Sequence, residues 1–135
     1  MRSLKFRAWD KKQNKMLYGV SIGTVKVWDE NAPLISHEFS YSEDCMFEQY
    51  TGLKDKNGKE IYEWDIVKQL MYVLDGKECY TTWVVKWNSK EYCYDLHRVS
   101  GALYGDSMLS TCESEDIEVV GNIHESNMEE LCQKE

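Results

Sequence analysis

Apolar and polar residues alternate along several short stretches of the chain, and a period of two is typical of half-buried β-strands. In the first stretch Leu4, Phe6 and Ala8 occupy alternate positions, and lysine, arginine and tryptophan fill the positions between and after them. Strong helical periodicity is missing. The predicted strands are residues 4–9, 16–20, 24–28, 37–41, 45–50, 69–74, 79–87, 91–99 and 116–123.

Two dipeptides predict tight turns between these strands. The pairs 57–58 (Asn-Gly) and 75–76 (Asp-Gly) favour the two-residue type I′ hairpin, in which both central residues have positive φ. A third turn is predicted at residues 88–90, and Ser126 with Glu129 predicts at most a short C-terminal helix. Short strands joined by tight turns indicate a mainly β fold, either an antiparallel barrel or a sandwich.

The length of 135 residues predicts one domain, residues 1–135. Aromatic residues make up 13% of the chain, which argues against intrinsic disorder. The acidic segment 29–44 breaks the strand pattern and contains the single proline. We interpret this segment as a long loop or as the join between two small sheet units.

Charge is distributed unevenly along the chain. Residues 1–27 contain seven basic residues and one acidic residue, whereas residues 91–135 contain two basic and eleven acidic residues, within a net charge of −8. An acidic total disfavours nonspecific binding to nucleic acid or to an anionic membrane, because both depend on attraction to phosphate. The basic N-terminal segment leaves a local exception open, and the alternative is that the two ends pair and neutralise each other.

Cysteine content and the N-terminal residues predict a cytoplasmic protein. The five cysteines are an odd number and include no C-x-x-C pair, so neither a disulfide framework nor a structural zinc site is expected. The first ten residues lack the apolar region of a secretory signal. The uncharged, apolar-rich stretch of residues 69–74 is far too short to span a bilayer.

No pattern of catalytic or ligand-binding residues stands out, so we predict no catalytic, cofactor or metal site. P-loop, dinucleotide-binding, zinc-protease and serine-hydrolase motifs are all missing. Cys93 and His97 lie on one predicted strand, about 13 Å apart, too far for a thiolate–imidazole hydrogen bond. The three histidines lack ligand spacing, and the segment 55–58 has glycine at the fourth position rather than the sixth that a calcium loop needs.

Four aromatic residues on two paired strands form the candidate interaction surface. They are Trp83, Trp87, Tyr92 and Tyr94. Packing in the core and across the strands is the favoured interpretation, and a peptide-binding groove is the second. A platform for nucleic-acid bases is the third, but it needs neighbouring basic groups, which are few in these strands.

Three stretches of the chain resemble the YopX family of small bacteriophage and prophage proteins. Residues 49–67, with the sequence QYTGLKDKNGKEIYEWDIV, match the central signature of that family. Residues 5–10 followed by Met16 match its opening, and residues 119–123 match its closing strand. The matches are spread over essentially the whole chain.

The resemblance implies a mostly β fold similar to an SH3-like barrel or pseudobarrel with extra strands. It also implies a phage-encoded protein in the cytoplasm of a bacterial host, and it brings no catalytic residues with it. The chain departs from the family at Trp64, where the family usually has glycine. If that glycine adopts a positive φ, tryptophan there costs about 1–2 kcal/mol of strain.

We therefore expect a non-enzymatic accessory protein that binds a host or phage protein through a β-barrel, without a cofactor and without a membrane. The alternative is a role related to nucleic acid. In one version the basic N-terminal segment contacts nucleic acid. In the other the acidic C-terminal third imitates DNA and occupies a DNA-binding host protein. Self-association is left open, because an antiparallel sheet often has a free edge.

Overall fold

The computed structural model describes residues 5–20, 26–27, 37–38, 45–101 and 105–126. These residues form antiparallel sheets and two short 3₁₀ turns, at Leu109–Thr111 and Ser114–Asp116, so the prediction of a mainly β, antiparallel fold is confirmed. The strands are β1 (Phe6–Asp10), β2 (Lys15–Val20), β3 (Lys26–Val27), β4 (His37–Glu38), β5 (Cys45–Lys54), β6 (Glu60–Tyr62), β7 (Asp65–Leu74), β8 (Lys77–Asn88), β9 (Cys93–Gly101), β10 (Ser107–Met108) and β11 (Ile117–Asn122).

The chain divides into two compact units, residues 1–52 and 53–135. Within the predicted loop or join at 29–44, the structure describes only β4, which pairs with β3. The predicted C-terminal helix lies outside the described residues, apart from its first residue, Ser126. Among the described residues, no helix has the length and apolar character needed to cross a membrane.

In the first unit, β1 lies between β2 and β5 and pairs with both in antiparallel register. The alternation in residues 4–9 predicts a strand with one buried face, but Arg7, Ala8 and Trp9 are all buried. Arg7 can be buried because its Nε donates a hydrogen bond of 2.8 Å to Oε1 of Glu48, directly opposite on β5. The ion pair therefore lies inside the unit and holds two neighbouring strands together.

In the second unit, five strands form one antiparallel sheet in the order β10-β9-β8-β7-β11. One face of this sheet carries the hydrophobic core. Its side chains come from β6 to β9, from the 3₁₀ turn at Leu109–Thr111 and from β11, and they are Ile61, Val67, Trp83, Val85, Tyr94, Leu96, Leu109 and Ile117. The dense β-branched and aromatic content of β8 is thus explained by its position at the centre of the sheet.

The two predicted hairpin turns are present, but only one has the predicted geometry. Asp75 and Gly76 both have positive φ, 51° and 76°, as a type I′ turn requires. In the other turn only Gly58 has positive φ, and the N–H of Gly58 donates to the carbonyl of Asp55 at 3.0 Å. This second turn is a type I turn followed by a glycine in the left-handed region, so the type I′ prediction is wrong there.

The carboxylate of Asp55 explains the different turn. Its Oδ1 accepts hydrogen bonds of 2.9 Å from the N–H groups of Asn57 and Lys59, and its Oδ2 accepts one of 2.9 Å from the N–H of Val119 on β11. Burial alone would raise the pKa of Asp55, but these three donors and the charge of Lys59 outweigh it, so the pKa lies below its ordinary value. A single charged side chain thus fixes the hairpin loop and ties it to the last described strand.

Candidate interaction surfaces

The four aromatic residues predicted as an interaction surface divide into two pairs. Trp83 and Tyr94 are core residues, 1% and 8% exposed. The indole N–H of Trp83 donates to Oε1 of Gln69 at 2.9 Å, so its polar atom is satisfied inside the protein. Trp87 and Tyr92, at 42% and 81% exposure, are the members of the set that reach solvent.

Trp87 lies at the rim of the core. It is directly opposite Tyr94 in the β8–β9 pair, and the two rings meet edge to face with their centroids 5.0 Å apart. This arrangement is favourable for aromatic rings and holds the indole in one orientation. The packing leaves about two fifths of Trp87 exposed at the end of the sheet where β8 turns into β9.

Tyr92 ends the loop between β8 and β9. The prediction places the turn at 88–90, but the loop is residues 89–92, and Asn88 pairs with Cys93. Oδ1 of Asn88 accepts hydrogen bonds from the N–H groups of Lys90 and Glu91, at 3.0 and 3.2 Å, which forms the loop. Tyr92 closes the loop with a φ of 54°, a left-handed conformation that costs a bulky residue about 1–2 kcal/mol.

The polar groups next to these aromatics favour a neutral thiol at Cys93. The thiol donates to Oδ1 of Asp95 at 3.5 Å, and Nδ2 of Asn88 donates to Oδ2 of the same carboxylate at 2.8 Å. Desolvation, the hydrogen bond to Asp95 and the nearby charge of Glu91 all raise the pKa of Cys93. A nucleophilic cysteine needs the opposite shift, toward the thiolate.

His97, the other half of the Cys–His pair considered from the sequence, has a different neighbour. Its Nδ1 lies 3.5 Å from Oδ2 of Asp106, and both side chains are exposed. Within the described part of the chain, no three His, Cys, Asp or Glu side chains come close enough together to hold a metal ion.

A second exposed apolar surface was not predicted from the sequence. Tyr72, Val73 and Leu74, at the end of β7, are 48%, 59% and 60% exposed. The signal for this surface is present in the sequence, because residues 69–74 are an uncharged, apolar-rich stretch that leads directly into an Asp-Gly turn. The position of this stretch before a hairpin turn indicates an apolar hairpin tip.

Trp64 is strained in the way that the departure from glycine suggests. It lies in the tight turn between β6 and β7 with a φ of 65°, and Glu63 before it does not have positive φ. A positive φ at the third turn residue alone is the pattern of a type II turn, which favours glycine there. The N–H of Trp64 donates to the carbonyl of Val85 at 2.7 Å, and the ammonium of Lys86 lies 5.3 Å from the centre of its ring.

Comparison with known proteins finds a family and a solved structure that are similar to nearly the whole chain. A family model described as "YopX protein" matches residues 5–129. The solved structure "Crystal structure of protein EF1440 from Enterococcus faecalis" is similar with a TM-score of 0.53 and 22% sequence identity, over 93% of this chain and 96% of that chain. At this identity the structural similarity supports the fold alone. A search of curated proteins returned no match.

Proposed function

The chain belongs to the YopX family, and on this premise we propose that it is a non-enzymatic, protein-binding accessory protein of a phage or prophage. It acts in the cytoplasm of the bacterial host and contacts its partner through Trp87 and Tyr92. The SH3-like barrel that the resemblance implies remains a prediction.

The observation that carries the proposal is the conformation of Tyr92. A large aromatic side chain is 81% exposed on a backbone with a φ of 54°, where glycine or asparagine costs far less. Strained residues of this kind persist most often at functional sites. Tyrosine and tryptophan are also enriched among the residues that dominate binding energy at protein interfaces, and Trp87 lies at the same end of the sheet.

The charge of the chain favours a partner with a basic surface. Residues 91–135 contain two basic and eleven acidic residues, and the complete chain carries −8. Such a field speeds encounter with a positively charged protein and slows encounter with nucleic acid. A basic side chain of the partner could also make cation–π contacts with the exposed rings of Trp87 and Tyr92.

A co-purification experiment from phage-infected or lysogenic cells tests the proposal. The bait is the full chain, and the informative variant is Tyr92→Gly, because it removes the ring and relieves the positive φ of the loop. We expect Tyr92→Gly to be at least as stable as the parent chain and yet to lose the partner. The matched control is Tyr18→Ser, since Tyr18 is an exposed tyrosine of the other unit, at 52%.

Two results would overturn the proposal. One is the recovery of no protein in stoichiometric amount by the parent chain. The other is equal recovery by the parent chain and by Tyr92→Gly.

The role related to nucleic acid is separated from protein binding by a gel-shift titration at low salt. The basic N-terminal segment presents Lys11, Lys12 and Lys15 as exposed side chains, whereas Arg7 is buried in its ion pair with Glu48. Retardation of DNA that is lost in a Lys11→Glu, Lys12→Glu variant would favour direct contact with nucleic acid over the proposal. We expect no retardation, because the net charge of the chain repels phosphate.

A further inference from the structure

The end of the β7–β8 hairpin extends past the other strands of its sheet. Pairing of β11 with β7 reaches Gln69, and pairing of β9 with β8 reaches Thr81. Among the described residues, residues 70–80 therefore form a two-stranded hairpin with no strand on either side, which we call the arm. An isolated two-stranded hairpin is only marginally stable in water, so packing against another surface would stabilise the arm.

The two faces of the arm differ in character. The pairing shifts by one residue between Leu70 and Tyr72, and beyond this bulge Tyr72 lies opposite Cys79 and Leu74 opposite Lys77. Side chains directly opposite each other share a face, so Tyr72, Leu74 and Cys79 lie together, on the same side of β8 as the core residue Trp83. We call this side the inner face, and it continues the apolar surface of the core beyond the core itself.

The outer face of the arm is occupied by polar groups that interact with one another. Val73 lies opposite Glu78 on this side. The hydroxyl of Tyr80 donates to the carboxylate of Glu78, and the ammonium of Lys68 lies 4.0 Å from the centre of the Tyr80 ring. These exposed charges are hydrated, and covering them would cost desolvation free energy. Burial of the inner face is therefore more favourable than burial of the outer face.

The charges at the two ends of the inner face are opposite. At the tip, Lys77 is exposed and lies opposite Leu74, next to the turn. At the base, the 3₁₀ turn Ser114–Asp116 packs beside β7, and its acidic residues come directly before Ile117, which pairs with Gln69. Glu113 and Glu115 are exposed there, and Asp116 is close enough to Cys112 to raise the pKa of that thiol, together with the larger effect of burial.

We propose that the arm is a self-association surface, on which the inner face of one copy packs against the inner face of a second copy around a two-fold axis. The arms run antiparallel, so the tip Lys77 of each copy lies over the acidic base of the other. The contact buries Tyr72 and Leu74, which are 48% and 60% exposed in one copy. The surface is separate from that of Trp87 and Tyr92, so the proposal does not depend on the proposed partner protein.

The local charges of the arm and its base, rather than the net charge of the chain, favour a second copy as the occupant. The chain carries −8, so two copies repel each other, and a contact between them costs least where the contact surface is itself close to neutral. Residues 68–80 meet this condition, because they contain two lysines, one aspartate and one glutamate. In the antiparallel arrangement opposite charges meet twice, once at each end of the same isologous contact.

Sedimentation equilibrium of the full chain over a wide range of protein concentration tests the proposal. We expect a reversible monomer–dimer equilibrium. The central comparison is between Leu74→Thr and Val73→Thr, neighbours that are 60% and 59% exposed on opposite faces. Leu74→Thr is expected to weaken the dimer about tenfold or more, whereas Val73→Thr is expected to leave it nearly unchanged.

A second pair of variants tests the charge arrangement. Lys77→Glu places an acid over the acidic base of the other copy and is expected to weaken the dimer several-fold, and added salt is expected to reduce that difference. Lys90→Glu changes the net charge equally but lies in the loop between β8 and β9, so it is expected to have little effect.

Three outcomes would overturn the proposal. The chain remains monomeric at every concentration, the dimer is equally sensitive to Val73→Thr and Leu74→Thr, or the dimer is insensitive to both. Far-UV circular dichroism of each variant shows whether the sheets remain folded. The thermal unfolding midpoint of Val73→Thr is the reference for Leu74→Thr, because both threonine substitutions alter the stability of the hairpin itself.

Discussion

In the turn between β6 and β7, backbone strain at residue 64 determines whether glycine or alanine gives the more stable variant. Trp64 has a φ of 65°, and its N–H and carbonyl take part in hydrogen bonds with Val85 and Ile123, at 2.7 and 3.1 Å. The turn is therefore held from both sides, and a replacement at residue 64 must adopt the same backbone conformation. We compare Trp64→Gly with Trp64→Ala, because both remove the indole and only alanine retains the strain.

The expected magnitudes follow from two opposing effects. The left-handed conformation costs a non-glycine residue about 1–2 kcal/mol, and glycine avoids this cost. Glycine loses more backbone freedom on folding than alanine, which costs about 0.4–1 kcal/mol. The difference favours Trp64→Gly over Trp64→Ala by about 1 kcal/mol. Both variants are expected to be less stable than the parent chain, because both lose the half-buried ring and its contact with Lys86.

Equilibrium unfolding in urea, followed by circular dichroism, measures the two free energies of unfolding. The matched control is the same pair of substitutions at Glu63, the preceding turn residue, where φ is not positive. At that position alanine is expected to be more stable than glycine by about 0.5–1 kcal/mol. If Trp64→Ala is as stable as Trp64→Gly, or more stable, the strain argument is refuted.

Three further predictions concern buried polar groups and close contacts. In urea titrations, Asp55→Asn is expected to destabilise the protein by about 2 kcal/mol near pH 7 and by less near pH 3. The pKa of Asp55 is lowered in the folded state, so its carboxylate stabilises the fold above the unfolded-state pKa, and this stabilisation is lost as the pH falls. Gly101→Ala is expected to lower the free energy of unfolding by about 3 kcal/mol, since a Cβ would lie 2.5 Å from a backbone atom, whereas Gly58→Ala, with open space, costs about 1–2 kcal/mol. Arg7→Met alone is expected to cost about 3–5 kcal/mol by thermal or urea unfolding, and adding Glu48→Leu is expected to restore most of it.

Contrary results have specific meanings. A stability loss for Asp55→Asn that is independent of pH would show that the charge of the carboxylate is unimportant. Equal losses for the two glycine variants would show that the strands move apart at Gly101. An Arg7→Met, Glu48→Leu double variant as unstable as the single variant would show that the ion pair is worth more than apolar packing.

The sequence predicts the local structure of the second unit well where a short segment decides the outcome. Asp75 and Gly76 form the type I′ turn that their residue types favour. Residues 57–58 turn the chain as predicted, but the turn type depends on Asp55, whose third hydrogen bond comes from a residue 64 positions later. A local pattern cannot contain that donor, so the turn type could not be predicted from it.

The candidate surface was predictable in part, for a similar reason. Trp83 and Trp87 have the same alternation along β8, yet one is 1% exposed and the other 42%. Periodicity indicates which residues share a face, but it does not indicate which of them are covered. The core around Trp83 includes Leu109 and Ile117, which lie far along the chain. The exposure of Tyr92 depends on the exact loop length, which is four residues between paired Asn88 and Cys93.

The position of β11 has a consequence for the order of folding during synthesis. β7 is an inner strand of its sheet, and one of its two neighbours, β11, begins at Ile117, near the end of the chain. A ribosome adds the residues between Gln69 and Ile117 in roughly 2–10 s, long enough for the β7–β8–β9 meander to form first. During this interval the nascent chain exposes the free edge of β7 and leaves Asp55 without its donor from Val119. We infer that the second unit completes its fold only when β11, its last described strand, emerges. A chain truncated before β11 is therefore expected to be a substrate for chaperones and proteases rather than a smaller stable domain.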